Sequence, residues 1–112
     1  MQNYDYTEDP EYRAGKGLPP LKKVVRGDFV FSLKTTHGLP LEMIIDWTIG
    51  EMGLRISWVD FIKEARKNKW FDFQIYETIN YALQESIIDI KIKEAIKNGV
   101  VVYLVNDILK PQ

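Results

Sequence analysis

Residues 29–70 read FVFSLKTTHGLPLEMIIDWTIGEMGLRISWVDFIKEARKNKW, and the punctuation of this stretch decides the fold. Phe29, Phe31 and Leu33 alternate with Val30, Ser32 and Lys34, a period that taken alone suits a strand over Phe29 to Thr36. Gly38 ends that element. Pro40 suits the first turn of the next, where a missing N–H has no intrahelical partner to lose. From Pro40 to Met52, the residues Leu41, Ile44, Ile45, Thr48 and Met52 share one helical face by their three- and four-residue spacings. Gly53 can then stop that helix in a left-handed conformation. Ser57 with Asp60 three residues on resembles a capping box, with Asp in place of Glu, and starts a third helix. That helix carries Trp58, Phe61, Ile62 and Ala65 inward and leaves Lys63, Arg66, Lys67 and Lys69 outward.

Working outward from this centre, Tyr76, Ile79, Leu83 and Ile87 predict a helix from about Phe73 to Glu85. Ile88, Ile92, Ala95 and Ile96 continue an apolar stripe as far as Asn98-Gly99, read as a helix stop. Residues 100–109, VVVYLVNDIL, are rich in β-branched side chains and read as buried, as either a short C-terminal strand or a helix. Toward the N-terminus, Leu21 to Asp28 is a basic connector whose Arg26-Gly27-Asp28 suits a turn. Residues 1–20 form a flexible acidic and aromatic tail broken by Gly15, Gly17, Pro19 and Pro20, with a short docking peptide as the alternative reading. The expected fold is mainly α, a compact single domain of four to five helices over residues 21–112.

Composition narrows the function classes. The chain has 112 residues, 46% hydrophobic and 28% charged, as a single ordinary domain would. Its 15 basic and 16 acidic residues give a net charge near −1, so attraction to nucleic acid or to a membrane surface has to be local. A single histidine, His37, and no cysteine leave no ligand set for zinc, and no metal or other cofactor is expected. No nucleophile elbow or phosphate loop stands in the sequence, so no enzymatic function is expected. No apolar run reaches the length of a membrane span, and the polar, acidic start is unlike a signal peptide. The expected location is the cytoplasm.

Phe31, Leu33, Thr36, Gly38, Pro40, Leu41, the Gly53-Leu54 pair and Phe61 form a pattern that resembles alanyl-tRNA synthetases, in the helical tRNA-recognition region after the catalytic core. The resemblance spans residues 29–70 and implies that the first element is a short helix, against its strand-like alternation. It also implies binding of tRNA or structured RNA. Where that family carries Tyr-Asp this chain has Lys34-Thr35, and where it carries a further Tyr it has His37. The Asp of that family helps discriminate the wobble pair of the acceptor stem, and a threonine replaces an acceptor-only carboxylate with a donor and acceptor. A class II catalytic core is far larger than this chain, and its adenylate-binding motifs are missing from it.

The nucleic-acid candidates are Lys34, Thr35, Thr36 and His37 together with the basic helix end Arg66, Lys67 and Lys69, and Trp70 is the candidate for stacking on an unpaired base. The same residues have a plain structural reading: a helix dipole favours cations in the last turn, and Trp70 beside Phe71 and Phe73 is read as core ahead of stacking. Tyr- and Trp-rich near-neutral domains also suit a protein-interaction adaptor or inhibitor, with a protein partner or a homodimer. A helix-turn-helix DNA reader, with Ser57 to Lys69 as recognition helix, fits the spacing. Against it, Trp58-Val59-Asp60-Phe61 is apolar and acidic where bases would be met.

Overall fold

The computed structural model describes Gly15, Gly17 and residues 23–109, so the expected tail lies almost wholly outside the described residues. Two short β-α units, laid side by side, organise the fold. Strand β1 (Val24–Val25) runs parallel to β2 (Arg55–Ile56), with Val24 opposite Arg55 and Val25 opposite Ile56. The Arg55 N–H donates to Lys23 O and the Ser57 N–H to Val25 O, both at 2.9 Å. One residue after each strand a helix begins: α1 (Gly27–Thr35) follows β1, and α3 (Trp58–Lys67) follows β2. Of the connector expected over Leu21 to Asp28, the described residues 23–28 are a strand and a helix start, and Gly27 does not sit in a turn.

Gly27 is buried where the two helices begin together. A Cβ built on it would lie 2.0 Å from Ser57 O and 2.2 Å from Phe61 N, so only a hydrogen fits between the backbones. Ser57 stands at the N-cap of α3 without a side-chain capping bond, so the expected capping box does not form. Its carbonyl accepts the Phe61 N–H at 3.2 Å and lies against α1 instead.

The alternation over Phe29 to Thr36 resolves as helix because Val30 and Phe31, neighbours in sequence, are both buried while Phe29 is exposed. A strand would place Val30 and Phe31 on opposite faces. Gly38, at φ +70°, closes this element, and the Leu39 N–H reaches back to Leu33 O at 3.1 Å. Pro40 immediately precedes α2 (Leu41–Ile45), its carbonyl accepting the Ile44 N–H. The helix then widens into a π-helical turn, Asp46–Glu51, and stops at Gly53, φ +66°. Leu41, Ile44, Ile45 and Thr48 are buried as the spacing predicts, whereas Met52 is exposed. The wider π turn carries more residues per turn than an α-helix, so positions beyond it leave the face that three- and four-residue spacing assigns them.

Helix α4 (Asp72–Glu85) buries Ile75, Ile79, Ala82 and Leu83. Ile87 lies beyond its end and is exposed, with its N–H donated to Asp46 Oδ1 at 2.9 Å. Helix α5 (Ile90–Leu109) runs straight through Asn98-Gly99, contrary to the expected stop, and residues 100–109 are helical rather than a strand. Val100 and Leu104, four residues apart, are buried, and Ile96 and Tyr103 pack beside them. That burial outweighs the roughly 1 kcal/mol a glycine costs inside a helix. Nor is this segment buried throughout, because Val101, Val102 and Val105 are exposed.

Gly99 has nothing within 4 Å of where its Cβ would stand. Gly99→Ala should therefore stabilise the fold by about 0.5–1 kcal/mol, raising the thermal midpoint followed by circular dichroism by a few degrees. An unchanged or lower midpoint would mean that α5 is not helical at this point. The architecture is thus mainly α, with five helices and a two-stranded parallel sheet over residues 23–109, and its core joins Val30 and Phe31 of α1 to Ile45, Phe61, Ile62 and Ile79.

Candidate functional site

Two places on the surface gather side chains that could bind something. The first is the corner where α1 and α3 end. The Phe31 and Trp70 rings meet edge-on with centroids 5.2 Å apart, which brings the last turn of α1 beside residues 66–70. Lys67, Lys69, Thr36 and His37 are exposed there, and Lys34 is half-buried. Thr35 donates its hydroxyl hydrogen to Phe31 O at 2.8 Å, the back-bonding usual for a helical threonine. Lys67 lies 3.7 Å from Glu64.

Arg66 is absorbed into the fold. Its Nε and Nη2 donate to the two oxygens of Asp72, both at 2.9 Å, and Nη1 donates to Asp107. Its guanidinium also lies over the Tyr103 ring, 5.7 Å from the centroid. The Asp72 hydrogen bonds hold the Arg66 pKa above its ordinary value, against the opposing effect of partial burial. This bidentate fork ties α3, α4 and α5 together and leaves Arg66 little capacity for a phosphate. Trp70 is half-buried and packed on the core, while its neighbours Phe71 and Phe73 are exposed. The corner therefore offers Lys34, Thr36, His37, Lys67 and Lys69, with the carboxylates of Glu64, Asp72 and Asp107 among or beside them.

At the start of α3 the backbone of Ser57 and Phe61 lies against Gly27 of α1, while Ser57, Trp58 and Val59 also line an open groove.

The second place is an open groove of about 640 Å³ between the sheet and α3 on one side and α5 on the other. Val24, Ile56, Trp58 and Ile62 form one wall; Ile92, Ala95, Ile96 and Tyr103 form the other. Both parallel strands contribute to this wall, β1 through Val24 and β2 through Arg55 and Ile56. Arg55 and Lys91 also line it, and among the described residues no carboxylate does. That asymmetry stands out on a chain whose charges otherwise nearly cancel.

No residue of this groove stood among the expected site residues. The available signal was the stripe Ile88, Ile92, Ala95 and Ile96, which reads as core by period, whereas Ile92, Ala95 and Ile96 line the groove. What periodicity could not supply was the opposite wall, because a two-residue strand has no period. Among the described residues no group of acidic or imidazole side chains could hold a metal, and no helix is long and apolar enough to cross a membrane. No protein family, curated protein or solved structure matches the chain, so its resemblance to the synthetase region rests on the residues quoted above.

Proposed function

We propose that this chain is a non-catalytic binding module whose groove receives an apolar segment bearing acidic residues, presented by a protein partner. The lining of the groove carries the reading: apolar walls that include the exposed Lys91 and, among the described residues, no carboxylate. A volume of about 640 Å³ accommodates two or three large side chains, within the range of ordinary ligand sites. Apolar burial supplies the affinity, and Lys91 selects and orients an anionic segment. The lining offers hydroxyls at Ser57 and Tyr103 but neither imidazole nor carboxylate to serve as a general base, which favours binding over catalysis.

The test is fluorescence polarisation of the full-length protein with three labelled probes: a peptide of about twelve residues alternating Tyr with Glu, its Tyr and Lys counterpart, and a tRNA acceptor-stem hairpin. The acidic peptide should bind in roughly the micromolar range and exceed the lysine peptide by at least about tenfold, with a loss at high salt. Ala95→Phe, which fills the groove from an exposed helix position, should weaken that binding by at least about tenfold. The opposite pattern would overturn the proposal: a hairpin bound with a steep salt slope, weakened by Lys67→Glu or Lys69→Glu, while the acidic peptide is ignored. That result would establish the RNA role implied by the synthetase resemblance.

A further inference from the structure

We infer that the groove receives a second copy of this chain: residues 85–90 of one copy, where α4 passes into α5, seat Ile87 and Ile90 in the groove of another. This rests on the groove reading above and names its partner. The lining sets what an occupant must carry, since it offers apolar walls, the exposed Lys91 and, among the described residues, no carboxylate. Residues 85–90 read ESIIDI, with Glu85, Ile87, Asp89 and Ile90 exposed and no cation among them. Ile87 is 86% exposed and Ile90 63%, and neither lines the groove of its own chain. Large apolar side chains presented among charges mark a contact surface.

The segment is held for presentation. Ser86 and Ile88, on either side of Ile87, are both buried. The Ile87 N–H donates to Asp46 Oδ1 at 2.9 Å, and the Ile88 N–H donates to Ser86 Oγ at 3.3 Å. Ser86 O accepts from Lys93 Nζ at 2.5 Å. A side chain whose backbone is already fixed outward has less freedom to lose on binding. Asp89 uses Oδ1 to accept the Lys91 N–H of its own chain at 2.7 Å, and its negative charge complements the Lys91 ammonium of a second copy.

The other prominent apolar pair, Phe71 and Phe73, fits less well. The carboxylate between them, Asp72, has both oxygens committed to Arg66, and the exposed Lys67 and Lys69 stand just before it in the chain. That surface would meet Lys91 with like charge. The link and the groove are different surfaces, so each copy gives one and receives through the other, a heterologous contact.

Sedimentation velocity of the full-length protein from about 1 μM to about 1 mM should show association that rises with concentration and weakens at high salt. Ile87→Ser, at a position with almost no packing to lose, and Ala95→Phe, which blocks the groove, should each weaken that association by at least about tenfold. Mixing the two variants should restore a complex of one copy of each and nothing larger, because one supplies only the link and the other only the groove. Three results would overturn the inference and spare the groove, provided that the Tyr and Glu peptide still binds: a monomer up to the highest concentration, association unchanged in Ile87→Ser, or two monomeric variants that fail to pair when mixed. Absence of both self-association and peptide binding would overturn the inference and the groove reading together.

Discussion

Gly27→Ala is expected to destabilise the protein by at least about 3 kcal/mol, enough to remove a large part of the 5–15 kcal/mol typical of a domain this size. The added methyl would meet Ser57 O at 2.0 Å, Phe61 N at 2.2 Å and Phe61 Cα at 2.9 Å. All three are backbone atoms, so no side chain can swing aside. Relief requires α1 and α3 to move apart, and their starts are tethered by β1 and β2 through the Arg55 and Ser57 hydrogen bonds. The propensity gain of alanine over glycine, at most about 1 kcal/mol, cannot offset that. Urea denaturation should show a much lower midpoint for Gly27→Ala and a slightly higher one for Gly99→Ala. An unchanged midpoint in Gly27→Ala would show that the helices do not approach as described.

Phe61→Ala should cost about 4 kcal/mol. Phe61 is fully buried, and truncations of that kind span roughly 3–5 kcal/mol according to how far the cavity collapses. The lower end of that range is not expected here because Phe61 is the middle of a chain of rings. Its centroid is 5.5 Å from Phe31 and 5.7 Å from Trp58, both edge-on, and Phe31 in turn meets Trp70. Such pairs contribute about 0.5–1.5 kcal/mol beyond the area they bury. Denaturation followed by tryptophan emission should show the loss together with a changed native-state spectrum, since Trp58 borders the gap and Trp70 packs on Phe31 beside it. A loss under about 1 kcal/mol would mean that the core does not close around this ring.

Much of the fold between Pro40 and Lys67 was legible from short-range chemistry. Gly38 and Gly53 adopt the positive φ expected of helix-stopping glycines, and Phe61, Ile62 and Ala65 face inward at helical spacing. What escaped depended on partners distant in sequence. Val24-Val25 became a strand only because Arg55-Ile56 lies beside it, about thirty residues along. Gly27 looked like a turn residue because nothing local marks the helix that crosses it. Asn98-Gly99 looked like a stop because the burial of Val100 and Leu104 against the core has no local sign. The same limit applied to the candidate site: Arg66 reads as an outward cation until Asp107, on another helix, is brought to it. The groove was invisible for a related reason, since its two walls come from segments far apart in the chain.

Helix α5 is anchored unevenly. Its second half is held by Val100, Leu104 and the Arg66–Asp107 pair, whereas Ile90 and Ile92 near its start are substantially exposed and the link before it carries the exposed Ile87. A segment with few buried contacts opens at a lower free energy than the core it leans on. The groove wall at Lys91 and Ile92 is thus held by fewer buried side chains than the wall at Val100 and Tyr103, and the width of the groove at that end follows local opening of the first turns of α5. Anything that binds there would bind best to one width, and would draw the first half of α5 from a spread of positions into one.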